Sequence, residues 1–132
     1  MRASTTTWLA VLSATLLPAS AWEFTAYDTY TCDAKDDTQY RVLSGEGKSG
    51  CLNFGQDMPG ANCAKFTEGG WIKGPCDGQE FKPRSILVQP GTICQVYHYE
   101  GCNQVPYIVI PEDNPKCELS IYPVKSIECA PA

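Results

Sequence analysis

Eight cysteines carry the clearest chemistry in this 132-residue chain. They stand at Cys32, Cys51, Cys63, Cys76, Cys94, Cys102, Cys117 and Cys129. An even number in a short chain points to disulfides rather than free thiols when the chain is exported. Spacing alone leaves many pairings open. The sequential pattern, Cys32 with Cys51, Cys63 with Cys76, Cys94 with Cys102 and Cys117 with Cys129, is the expectation adopted here. No Cys-x-x-Cys occurs, and His98 is the single histidine, so no zinc site is expected. His98 is also the only side chain with a near-neutral intrinsic pKa. It falls between Tyr97 and Tyr99 in a strand-like run, and no Gly-x-Ser-x-Gly or comparable nucleophile motif accompanies it. A structural or surface role is expected for it. Glu112 and Asp113 are adjacent in a proline-bounded turn, whereas glycoside hydrolysis needs two carboxyls flanking the bond at a set separation. Asp33, Asp36 and Asp37 offer hard oxygen ligands but read as a solvated loop. The expectation is a protein that is not an enzyme, with no catalytic residue, no metal and no cofactor.

The elements that position these residues follow an export leader. Arg2, an apolar run over 8–17 and the Ala19-Ser20-Ala21 site predict a signal peptide over 1–21 and a single secreted domain over 22–132. The expected localisation is extracellular, in the apoplast if the host is a plant. The formal net charge of −5 becomes one unit more negative once Arg2 leaves. A chain so short of clustered Lys and Arg is a poor partner for nucleic acid or for an anionic membrane surface.

Along the mature chain, alternation of large and polar residues predicts a strand over 22–28, then an acidic loop to Asp37, a strand over 39–43, a flexible turn over 44–50 and a short strand over 52–54. Residues 55–80 differ. Gly55, Gly60, Gly69, Gly70, Gly74 and Gly78 with Pro59 and Pro75 interrupt every period, leaving an insertion loop with one short helical turn over 61–66. A loop this long in a compact domain is commonly either functional or disordered. Cys63 and Cys76 are spaced to close it, and Trp71 lies between them with few core partners nearby in sequence. Trp71, Lys73 and Phe66 are therefore the candidate interaction surface. Beyond it come strands over 85–88 and 93–99 around a Pro-Gly turn, an edge strand over 105–110, a turn over 111–115, and strands over 117–121 and 125–129. No amphipathic helix is visible, so the class is all-β.

The two halves of the chain, 22–88 and 92–132, repeat one order of features. Tyr27 precedes Cys32 as Tyr97 precedes Cys102, Tyr40-Arg-Val-Leu matches Tyr107-Ile-Val-Ile, Cys51-Leu matches Cys117-Glu-Leu, and Arg84-Ser-Ile matches Lys125-Ser-Ile. This arrangement resembles the βγ-crystallin Greek-key pair, in which a Ser-Ile-x-Val strand, a glycine-containing corner and a Tyr-bearing strand follow one another as residues 85–99 do. The resemblance implies a small disulfide-rich β-sandwich or barrel of two Greek-key halves, with 55–80 inserted into the first. Calcium sites of that superfamily use paired Asn or Asp before a Ser/Thr-Ser pair. The matching stretches, Phe81-Lys-Pro-Arg-Ser85 and Tyr122-Pro-Val-Lys-Ser126, lack them.

In composition the chain resembles the fungal small secreted cysteine-rich proteins, many of them candidate effectors on plant hosts. That resemblance implies a non-enzymatic effector or elicitor, a virulence factor that binds a host extracellular protein and modulates defence. The alternatives are an antimicrobial or killer-type toxin and a cell-wall carbohydrate-binding, lectin-like module. The expected partner is a host or microbial extracellular protein. The chain itself is expected to be a monomer, or a homodimer through its exposed edge strand.

Overall fold

In β1 (Ala21–Tyr27) Trp22, Phe24 and Ala26 share one face and are buried, as strand alternation requires when one side meets a core. Ten strands follow the same logic in the computed structural model, which describes residues 20–55, 58, 61–110, 117–120 and 122–132. They are β1, β2 (Tyr40–Glu46), β3 (Leu52–Asn53), β4 (Asn62–Thr67), β5 (Ile72–Pro75), β6 (Ser85–Val88), β7 (Thr92–Tyr97), β8 (Ile108–Ile110), β9 (Cys117–Leu119) and β10 (Ser126–Pro131). Two sheets of order β5-β4-β2-β1-β6-β9 and β3-β10-β7-β8 make an all-β sandwich. The only helical pieces among the described residues are two 3-10 turns, and no helix is long and apolar enough to cross a membrane.

One cluster of buried side chains lies between the sheets. The first sheet contributes Trp22, Phe24, Ala26, Leu43, Ile86 and Val88; the second contributes Leu52, Cys94, Val96, Ile127 and Cys129. Burying each of the large apolar groups stabilises the fold by about 1.5–3 kcal/mol. Gly45 faces Trp22 across the β1–β2 pair, and a Cβ there would stand 2.7 Å from the indole, so only glycine leaves room for the ring.

The order β2-β1-β6-β9 in one sheet has its counterpart in β8-β7-β10-β3 in the other. Each half of the chain therefore gives its third strand, β3 or β9, to the sheet built by the other half. The corners repeat as well. Cys32 and Cys102 both adopt φ 53°, a left-handed conformation that costs a non-glycine residue roughly 1–2 kcal/mol. A fully buried serine holds each one. Ser85 Oγ accepts the Cys32 N–H at 3.0 Å and donates to Thr29 O, while Ser126 Oγ accepts the Cys102 N–H at 2.9 Å and donates to Tyr99 O.

Three expectations need correction. Residues 55–80 are not an irregular loop, because β4 and β5 form a hairpin that extends the first sheet past β2, and 61–66 is extended rather than helical. Periodicity fails there because the hairpin overhangs the core, leaving both faces of β4 partly exposed. The bridges are Cys32–Cys117, Cys51–Cys102, Cys63–Cys76 and Cys94–Cys129, so only the Cys63–Cys76 pairing agrees with the sequential pattern. The exchange of β3 and β9 is the reason: Cys51 and Cys117 travel with those strands to the corner of the opposite half. Strand bounds shift as well: β2 runs on to Glu46, β7 ends at Tyr97 and leaves His98 beyond it, β8 begins only at Ile108, and β10 runs on to Pro131. The expected leader up to residue 19, the turn over 111–115 with Glu112 and Asp113, Pro59, Gly60 and Ile121 lie outside the described residues.

Candidate interaction surface

Since Trp22, Phe24 and Ala26 face the core, Tyr27 faces away from it, and the register decides its neighbours. Tyr27 lies opposite Tyr40, Tyr40 opposite Phe66 and Phe66 opposite Lys73, so four strands place these side chains in one row. The rings of Tyr27 and Tyr40 are 5.3 Å apart, and those of Tyr40 and Phe66 stack at 4.7 Å with an interplanar angle of 8°. Lys73 Nζ lies 5.7 Å from the Phe66 ring centre, within reach of a cation–π attraction. Burial raises the Tyr27 hydroxyl above its ordinary pKa, with Tyr40 and then Asp33 adding to the shift.

The β4–β5 turn is fastened to the body of the protein. Glu68, Gly69 and Gly70 all have positive φ, and Gly69 N–H donates to Thr38 O at 3.0 Å. A Cβ on Gly69 would lie 2.6 Å from the Asp36 carbonyl, and one on Gly70 would lie 2.8 Å from the Tyr40 hydroxyl. The acidic loop thus buttresses the hairpin. Among the described residues no three His, Cys, Asp or Glu gather as a metal site. Beyond this clamp Trp71 is 91% exposed and Ile72 58% exposed. Trp71 has no core to fill. β5 is an edge strand, but it is short and carries Lys73 and Pro75, which discourages strand addition and leaves side chains as its means of contact.

His98 sits elsewhere. Its ring lies 4.0 Å from Tyr107 and 5.6 Å from Tyr122, with Nε2 3.3 Å from Ser120 Oγ. The Ser120 hydroxyl proton is given to Tyr122 O, so Nε2 is the donor in the His–Ser contact. A base that activates serine needs the opposite polarity, and the group is a clamp between β9 and the end of β7.

On the outer face of the second sheet, Tyr97 Oη lies 2.7 Å from Glu128 Oε1 and 2.9 Å from Gln95 Oε1. The hydrogen bond to Glu128, with burial and the carboxylate's charge, pushes the phenol up to about 12. A folded value above the unfolded one means that this contribution to stability is complete below the ordinary pKa of 10.0 and fades as pH rises from there through about 12. Glu128→Gln should bring the Tyr97 transition back toward 10.0 in a pH titration of phenolate absorbance. An unmoved transition would dismiss the carboxylate as its cause.

The structure brings two of the sequence candidates, Phe66 and Lys73, into contact and holds Trp71 at the tip of the same hairpin. It adds Tyr27 and Tyr40, which sequence reasoning placed on strands without a surface role, because their meeting depends on register with β4. Residues 22–126 match the family model described as secreted LysM effector LysM14, C-terminal domain. Comparisons with curated proteins and with solved structures gave no match.

Proposed function

Because the chain belongs to the family of the C-terminal domain of the secreted LysM effector LysM14, we propose that it acts without catalysis, by binding an extracellular protein of the host and modulating its defence. Family membership makes the protein a secreted, extracellular effector; the partner and the contact surface are this reading. The observation that carries it is Trp71, 91% exposed on a hairpin held by the Cys63–Cys76 bridge and by the clamp on Asp36 and Thr38. A backbone fastened in place loses little further entropy on docking, and tryptophans with a polar rim are common binding hot spots. Ile72 and Lys73 supply an apolar neighbour and a cation on the rim.

The same proposal takes the fold to be a duplicated Greek-key pair of the βγ-crystallin kind. It is supported by the two serine-held corners and the reciprocal exchange of β3 and β9. The insertion between β3 and β6 then belongs to the first half alone, which gives the contact surface to one end of the molecule.

Trp71→Ala should weaken binding to a partner isolated from host extracellular fluid by about 30-fold, the equivalent of about 2 kcal/mol at a hot spot. Its circular dichroism and thermal midpoint should match the wild type. Retention of the partner by both Trp71→Ala and Lys73→Glu would remove this hairpin from the binding surface. Growth inhibition of fungi or bacteria by the purified protein would favour a toxin instead.

A further inference from the structure

The exposed pair Trp71 and Ile72 stands beside carboxylates that the clamp on the hairpin collects. Glu68 opens the turn that carries Trp71, and the Trp71 N–H donates to Glu68 O at 3.3 Å. Asp36 is packed against the same turn, since a Cβ on Gly69 would meet its carbonyl at 2.6 Å and its nitrogen at 3.1 Å. Asp33 and Asp37 lie in the loop with Asp36, and all four of these acids are exposed. Their field is felt further along the loop. Burial raises the Asp28 carboxyl above its ordinary range, a backbone hydrogen bond at Gln39 opposes this, and the charge of Asp37 adds to the rise.

Little positive charge answers them. Among the described residues the ion pairs engage Asp77 and Glu80 and none of these four acids. Lys65 is taken up by Asp77 and Gln79, and Lys73 lies over the Phe66 ring. Lys35 is the one basic residue in the stretch 28–37. Unpaired charges of one sign make a potential that reaches about 8 Å at physiological salt. A surface that buries Trp71 must come within that distance, and a like-charged one would be repelled. The same sign turns away nucleic acid, anionic lipid and a second copy of this acidic chain.

We infer, resting on the reading of the hairpin given above, that the host protein presents a basic contact surface, with Arg or Lys side chains bordering the apolar recess that takes Trp71. Arg suits the rim best, because its planar fork pairs with a carboxylate through two hydrogen bonds. The two parts of the surface then act on different steps. Asp36, Asp37 and Glu68 speed the encounter, and Trp71 slows the separation.

Two measurements test it. Titration of the 15N-labelled protein with hexa-arginine amide should shift the amides of Asp36, Asp37 and Glu68 more than that of Glu46; equal shifts at all of them overturn the inference. With the partner recovered from host extracellular fluid, surface plasmon resonance should show association slowing at least about tenfold from about 0.03 to 0.3 M salt. Asp37→Lys should slow association at least about fivefold and leave dissociation nearly unchanged. Glu46→Lys makes the same change in net charge at the other end of β2 and should do neither, while Trp71→Ala should speed dissociation. Association indifferent to salt and to Asp37→Lys, with Trp71→Ala still damaging, overturns the basic partner and leaves the hairpin as the contact. Indifference to Trp71→Ala as well removes the hairpin itself. Equal slowing by Glu46→Lys and Asp37→Lys also overturns the inference, since net charge rather than this rim would then steer the encounter.

Discussion

Replacing Cys32 and Cys117 together with serine is expected to lower stability by about 4.6 kcal/mol, the loop-closure value for the 85-residue separation they span. On the same basis the Cys51–Cys102, Cys94–Cys129 and Cys63–Cys76 pairs, separated by 51, 35 and 13 residues, are expected to cost about 4.1, 3.8 and 2.9 kcal/mol. The two costliest bridges are the ones that cross between halves. Each ties an exchanged strand to the left-handed corner of the other half, so its loss frees both the strand and the corner that Ser85 or Ser126 holds. Denaturant unfolding of the four double-serine variants should give midpoints that rise in that order, lowest for Cys32–Cys117 and highest for Cys63–Cys76. If the Cys63–Cys76 variant proved the weakest, chain entropy would not be the governing term.

Arg41→Met is the second large effect, expected to cost about 2 kcal/mol because two backbone carbonyls lose a charged donor. The Arg41 side chain is 1% exposed, and its guanidinium lies 4.9 Å from the Phe81 ring centre. Nη2 donates to Asp77 O at 3.4 Å and Gln79 O at 3.3 Å and stands 3.6 Å from Asp77 Oδ1. The segment that returns from the hairpin to β6 is therefore wound around this one cation. Burial lowers the Arg41 pKa while Asp77 opposes that shift. Asp77 is held below the ordinary carboxylate range, first by Lys65 at 3.0 Å and then by the Gln79 N–H. Its stabilising share is present above the ordinary value and is lost as pH falls through the lowered one. Arg41→Lys should recover only part of this, since the shorter side chain gives up the planar guanidinium that lies against the Phe81 ring. A denaturant midpoint for Arg41→Met equal to wild type would show that the segment packs without the charge.

The alternation of Trp22, Phe24 and Ala26 made β1 legible in the sequence because one of its faces meets the core. The Ser-Ile strand, the Pro-Gly turn and the Tyr-bearing strand were legible for the same reason. β4 was not. It lies at the edge of the core, which Cys63 alone of its residues packs against, so no fully buried face imposes a period on Asn62–Thr67. The bridges went astray through proximity: Cys32 and Cys51 are neighbours in sequence, yet β3 carries Cys51 into the other sheet. The matched positions of Cys32 with Cys102, and of Cys51 with Cys117, held the clue once strand exchange is granted. Trp71 stood out because glycines surround it. The row from Tyr27 to Lys73, and the approach of Asp36 to Gly69, exist only through register and loop docking, which no local pattern encodes.

The exchange of β3 and β9 also governs what happens if the backbone is cut. The turn over 89–91 joins the two halves by a single run of backbone and leads from β6 in one sheet to β7 in the other. A protease that severs it releases nothing. Cys32–Cys117 and Cys51–Cys102 still bind each fragment to its counterpart, and each fragment still completes the other's sheet. A nicked molecule runs as two pieces only after reduction, and until then it keeps the geometry of an intact one.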